Sequence, residues 1–209
     1  MADSAVTPPN PLVELVETMA KLRRECAWKA AQTHESLTRY LLEETYEVLE
    51  AIESGDRTHL REELGDLLLQ VYFHAAIAAE AGEYDVADVA ADLQAKLVRR
   101  NPHVFGGPGA EPLTDLGQIN DQWEAIKTAE KQRTRIEEGL PGRLPAMLRA
   151  DKLVDRLARA GRPVSVDPAD PDLGERLLGL VVEAQSAGID PEQALRTAVR
   201  RRLEESGPA

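Results

Sequence analysis

Two acidic pairs at helical spacing carry most of the chemistry legible in this chain. Glu44 and Glu47 stand three residues apart in LLEETYEVLEAI, and Glu63 and Asp66 three apart in REELGDLLLQV. Side chains at i and i+3 share one face of a helix, so each pair can aim two carboxylates at one point. The segment between them, SGDRT over Ser54–Thr58, is a natural place for two helices to reverse. An antiparallel hairpin there brings the four carboxylates together. Four oxygen donors without histidine or cysteine suit a hard cation, Mg²⁺ or, as a substitute, Mn²⁺.

The setting sharpens the expectation. An apolar stripe runs through Leu37, Tyr40, Leu41, Val48 and Ile52, and Glu44 falls on it; a second runs through Leu60, Leu64, Leu67 and Val71, with Glu63 and Asp66 at its border. Carboxylates beside a core are costly unless paired, hydrogen-bonded or bound to metal. Glu50, Glu53 and Glu62 read instead as a solvated acidic face. None of the four histidines follows a glutamate by three residues, so the Glu-x-x-His pattern of carboxylate di-iron bundles is missing. Carboxylate-held Mg²⁺ keeps positions open for water and substrate phosphates, which is machinery for hydrolysing a phosphoanhydride.

Phosphates call for cations nearby. Lys96 and Arg100 lie four apart at the end of the helix that follows the acidic hairpin, and Lys127 lies four after Trp123. A cation beside an indole can hold a phosphate while the ring packs on a base. The same cations also suit a helix C-terminus, and the same Trp suits a core stripe; spacing alone does not separate these readings.

The elements that must position these residues are helical almost throughout, with no convincing strand. Residues 12–24 place Leu12, Leu15, Val16, Met19 and Leu22 on one side. Helices over 36–53 and 58–81 form the acidic hairpin. Asp85 caps a helix carrying Val86, Val89, Ala90, Leu93 and Leu97, which Asn101-Pro102 stops. A Gly- and Pro-rich loop covers 103–113. A helix over about 115–138 turns Leu116, Ile119, Trp123 and Ile126 inward, and another runs from Pro145 to near Gly161. A linker over 161–171 precedes two last helices, about 172–187 and 191–205. The expected division is a disordered tail over 1–11, a catalytic helical domain over 12–138 and a C-terminal helical region over 139–209.

That last region holds a partial internal repeat. DLGERLLGLVVEA, from Asp172, aligns without gaps on ELGDLLLQVYFHA, from Glu63, and echoes the acid pair as Asp172 and Glu175. The Glu-x-x-Glu helix has no counterpart before the linker. A degenerate half-repeat of this kind lacks one arm of any four-carboxylate site, and its expected role is structural or in oligomerisation.

Composition bounds the function class. The chain has 209 residues, a formal net charge of −12, 4% aromatics and one cysteine, Cys26. A disulfide framework is excluded, and no hydrophobic run is long enough for a bilayer. The stretch MADSAVTPPNP has neither the basic region nor the apolar core of a signal peptide, so the expected location is the cytoplasm. The acidic balance argues against a polynucleotide partner, though not against a single nucleotide held through a cation.

Taken together, CAWKAAQTHESL, YLLEETYEVLEAIESGD, EELGDLLLQVYFHA, KLVRRNPHVFG and QWEAIKTAEK resemble the MazG nucleoside triphosphate pyrophosphohydrolases, strongly over 12–135 and more weakly through LPGRLPAMLRADKL to the C-terminal half. The resemblance implies an all-α fold, a homodimer or larger homo-oligomer, Mg²⁺ dependence, and cleavage of a nucleoside triphosphate to the monophosphate and pyrophosphate. By position it assigns the metal to Glu44, Glu47, Glu63 and Asp66, an orienting or basic role to Glu43, and nucleotide contacts to Lys96, Arg100, Trp123 and Lys127. His34 either lines the entrance or is structural; His59 and His74 are taken as structural. Two departures stand out: Cys-Pro-Trp-Asp reads Cys26-Ala27-Trp28-Lys29, and His-Pro-His reads Asn101-Pro102-His103. Competing readings are a pyrophosphohydrolase specialised for dUTP, dCTP or phosphoribosyl-ATP, and a non-catalytic helical scaffold that binds metal or nucleotide.

Overall fold

The structure is a computed structural model that describes residues 10–106, 113–131 and 134–207. Among these residues there are helices and no strand, the all-α class that the periodicity predicts. By contact the chain forms two compact units, the first ending at Ile119 and the second beginning at Asn120. Each is described by itself. The predicted tail falls outside the described residues as far as residue 9, as does the part of the predicted loop over 107–112.

The first unit is built on a helical hairpin. Helix α1 (Pro11–Glu25) and the short α2 (Ala27–Ala30) lead into α3 (Thr38–Ser54), which reverses into α4 (Arg57–Glu80). The reversal is local chemistry. Gly55 takes φ 74°, a left-handed conformation that ends α3. Asp56 then caps α4 by accepting from the backbone N–H of Thr58 and His59. Those two donors hold the Asp56 carboxyl below its usual range. One glycine and one aspartate thus close an antiparallel pair, the most extensive helix–helix contact among the described residues.

The core of this unit is Met19 of α1, Leu37, and Tyr72 and Phe73 of α4, with Leu15, Leu22, Tyr40, Leu68 and Leu69 packed around them. The Tyr72 hydroxyl donates to the Leu12 carbonyl at 2.7 Å, tying α1 to α4. Leu41, Ile52, Leu64 and Val71, predicted to face the core, are exposed instead, whereas Glu63 and Gln70 are buried. The reason is that α4 is apolar on most sides, so its periodicity does not choose a face; packing on α1 and α3 does.

Helix α5 (Val86–Arg100) opens with a capping box in which Asp85 and Asp88 each accept from the other's backbone. Its stripe of Val89, Leu93 and Leu97 is exposed. Pro102 stops α5 as predicted but also opens α6 (Pro102–Phe105), a single turn where a loop was expected. Helix α7 (Leu116–Lys131) spans the division between units. It ends short of the predicted residue 138, since 134–139 form bends and turns, and Leu116, predicted inward, is exposed.

In the second unit α8 (Ala146–Arg159), α9 (Leu173–Ser186) and α10 (Pro191–Ser206) pack on one another around Val154 and Val181. Arg156 donates to the carbonyls of Ile136 and Glu138, and Gln185 donates to Asp151, so polar contacts hold the preceding turns and α9 to α8.

Candidate metal centre

The hairpin delivers three of the four predicted acids to one place. Carboxylate oxygens of Glu44, Glu63 and Asp66 all lie within 4.8 Å of one another. Glu47, one turn along α3, is hydrogen-bonded to Glu44. Glu63 is only 9% exposed, while Glu44 and Asp66 are half-buried. Such crowding is visible in the proton affinity of Glu44. Its carboxyl is pushed from 4.5 up to about 7, first by burial, then by the hydrogen bond to Glu47, then by the charges of Asp66, Glu47 and Glu63. Near neutral pH, without a cation, Glu44 therefore holds its proton far more tightly than an ordinary carboxyl. A divalent cation answers the same repulsion with more charge, and an all-oxygen donor set fits Mg²⁺ or Mn²⁺ rather than a soft metal.

Sequence reasoning missed one partner of this cluster. The sequence assigns His59 no part in the site, yet its Nε2 lies 2.9 Å from a Glu63 oxygen, where an N–H donates to the carboxylate and orients it. The signal was present, because residues 59 and 63 are at i, i+4 spacing. Beyond Asp66 the same face of α4 continues through Gln70 and His74, and Gln70 Oε1 and His74 Nε2 are buried with no hydrogen-bond partner among the described residues. His74 meets His34 Nδ1 to Nδ1 at 2.7 Å with the rings stacked. Burial first, then the neighbouring His34, lowers its pKa.

The remaining predicted residues are placed as follows. Glu43 is exposed on α3 beside Glu44. On α5, Arg100 is buried, whereas Lys96 is half-buried and lines a groove of about 730 Å³ with Tyr84, Asp88, Val89, Asp92, Leu93 and Arg99. Trp123 and Lys127 are half-buried in the second unit, and Lys127 Nζ pairs with Glu124 at 2.6 Å.

Comparisons with known proteins bear on the same segment. Residues 32–105, which hold all four acids, match the MazG nucleotide pyrophosphohydrolase domain. An uncharacterised 26.1 kDa protein of Streptomyces cacaoi is 45% identical, covering 90% of this chain and 77% of its own. The nucleoside triphosphate pyrophosphohydrolase of Mycobacterium tuberculosis is 43% identical over 90% of this chain, which spans 54% of that longer protein. The nucleoside triphosphate pyrophosphohydrolase/pyrophosphatase MazG of Thermotoga maritima is 39% identical, covering 91% of this chain and 82% of its own. With the acid hairpin in place and relatives of this identity matched over most of their length, the chain belongs to the MazG nucleotide pyrophosphohydrolase family, hydrolases acting on phosphoanhydride bonds.

Proposed function

We propose that this protein hydrolyses nucleoside triphosphates, ribo or deoxy, at the α-phosphorus to the monophosphate and pyrophosphate, with Mg²⁺ held by Glu44, Glu47, Glu63 and Asp66. One observation carries the reading: three carboxylates converge within 4.8 Å, and Glu44 retains a proton up to about pH 7. A fold gains nothing from that repulsion unless a cation relieves it. Bound there, the cation supplies charge neutralisation of the triphosphate and a more acidic water.

The chain's own groups supply the rest. His59 holds the Glu63 carboxylate in one orientation. Glu43, exposed beside Glu44, orients the hydrolytic water or accepts its proton. Lys96, Arg100 and Lys127 offset phosphate charge, and Trp123 packs on base or ribose, the roles the family resemblance assigns to them. The pentavalent α-phosphorus then expels pyrophosphate, and the water oxygen stays on the monophosphate.

We further propose a cytoplasmic homo-oligomer, a dimer at least. No described helix is long and apolar enough to cross a membrane. Ile52 and Leu64 are 55% and 48% exposed, and the α5 stripe is uncovered in the single chain. Continuous apolar faces of this kind favour a second copy. The C-terminal half-repeat is retained as a structural or oligomerising element. Removal of non-canonical nucleotides is a narrower form of the proposal, and equal rates on normal and oxidised dNTPs would count against it.

The test is product analysis by ³¹P NMR on mixed NTPs and dNTPs, with Mg²⁺ and with EDTA. Monophosphate plus pyrophosphate, formed only with Mg²⁺, is expected. Diphosphate plus orthophosphate would mean attack at the γ-phosphorus. Tight nucleotide binding without turnover would favour the scaffold reading.

A further inference from the structure

The segment that joins α1 to α3 carries an indole and a cation that the account so far leaves unused. Trp28 lies on the four-residue α2 and is 50% exposed. A side chain on so short a helix would ordinarily be loose, but its backbone is held from below. Buried Arg23 donates through Nη1 to the carbonyls of Lys29 and Gln32, and its other nitrogens pair with Glu80 on α4. Gln32 in turn donates from Nε2 to the Trp28 carbonyl at 3.0 Å. The indole then meets Tyr40 edge to face, with ring centroids 5.9 Å apart. An exposed aromatic face, set on a backbone held at three carbonyls, is preorganised for a planar partner.

Its place along the hairpin says which partner. Tyr40 is one helical turn before Glu44 and on the same face of α3. The Lys29 ammonium lies 5.5 Å from the Trp28 centroid and 5.2 Å from that of Phe73. Phe73 is seven residues beyond Asp66 on α4, about 10 Å at the rise of an α-helix. That separation is too long for phosphates gathered at the acids and of the order of a ribose plus a base. Among the described residues Lys29 forms no ion pair with a carboxylate, only the two ring contacts, in a chain of net charge −12. An ammonium donates and cannot accept. Beside a stacked base it therefore prefers a carbonyl edge to an amino edge.

We propose that Trp28 and Lys29 form the nucleobase platform of this enzyme, Trp28 stacking the base and Lys29 donating to a carbonyl on its edge, so that keto bases are preferred to amino bases. The proposal rests on the reading of the acid hairpin as the triphosphate site, and it deepens that reading by naming the substrate class.

The experiment is steady-state kinetics in Mg²⁺ with GTP, ATP, UTP, CTP and an abasic deoxyribose 5′-triphosphate. Wild type is expected to favour GTP over ATP and UTP over CTP by about 10-fold in kcat/KM. Trp28→Ala should raise KM for all four nucleotides about 10–100-fold and leave the abasic substrate unchanged. Trp28→Phe should restore most of the binding, and it covers the case in which the alanine variant does not fold. Lys29→Met should abolish the keto preference while sparing ATP. Equal losses on nucleotides and on the abasic triphosphate would make Trp28 a structural residue and overturn the platform. A keto preference that persists in Lys29→Met, or that wild type lacks, would overturn the role of Lys29. Wild-type hydrolysis of none of the five would overturn the acid-hairpin reading itself, a result distinct from the other two.

Discussion

Helices α4 and α9 carry the same pattern, Glu63-Leu-Gly-Asp66 in one and Asp172-Leu-Gly-Glu175 in the other, yet the acids do different work. Helix α4 starts at Arg57, so Glu63 and Asp66 are well inside it, where their side chains meet Glu44 across the hairpin. Helix α9 starts at Leu173, so Asp172 is its N-cap and its carboxylate accepts from the N–H groups of Gly174 and Glu175. Glu175 is exposed in the first turn, where a negative charge favours the macrodipole. Packing positions are kept, since Tyr72 and Val181 align and both are buried. Gln70 is replaced by Gly179, whose missing side chain leaves room for Val166. The same short motif makes a converging acid cluster or a helix cap according to where the helix begins and what faces it.

This contrast can be broken at either end. The largest effect belongs to the first hairpin. Glu47→Ala and Glu63→Gln should each lower turnover by more than ~100-fold, a ligand being worth more than its supporting partner. The assay is pyrophosphate release in Mg²⁺. Thermal melting in EDTA should show the fold intact in both, because fewer carboxylates repel each other. Next comes the support of the ligand: His59→Ala should weaken the Mg²⁺ dependence of activity by about 10-fold and leave the maximal rate nearer wild type.

The third prediction concerns pH. Glu44 has its carboxyl raised from 4.5 to about 7 in the folded chain. Between those values the folded state holds a proton that the unfolded state has lost, so this group's contribution to stability falls as pH rises. In EDTA the melting temperature should drop from about pH 5 to pH 8, and Mg²⁺ should raise it more at the higher pH, by about 2–4 °C. A Mg²⁺ gain that is larger at low pH would contradict the cluster. The smallest effect falls on the second unit. Asp172→Ala should cost about 1 kcal/mol in urea unfolding through the lost cap and leave turnover unchanged.

Much of this was legible before the structure. Local rules located the helices: Asp85 caps α5 and Pro102 stops it as the sequence predicts, and Asp56, Asp190 and Gly55 act by the same rules where no cap or stop was assigned. The i, i+3 acid pairs and the SGDRT reversal also located the cluster, because both depend on nearest neighbours alone. Which side of each helix is covered was not legible. Leu64 and Val71 outnumber polar residues on their side of α4, but α1 and α3 reach the other side, where Glu63 and Gln70 are buried. Arg23 was illegible for a related reason. Arg24 is its neighbour and chemical twin, and only the fold brings Glu80 and two carbonyls to one of them.

The central claim is that the acids of the first hairpin, and not their echo in the second unit, hold a divalent cation. Titrating Mn²⁺ into the metal-free protein, with free ion followed by electron paramagnetic resonance, tests it most directly. Wild type and Asp172→Asn should bind Mn²⁺ alike, and Glu63→Gln should bind it at least ~10-fold more weakly. Unchanged binding in Glu63→Gln, or binding lost in Asp172→Asn, would contradict the account.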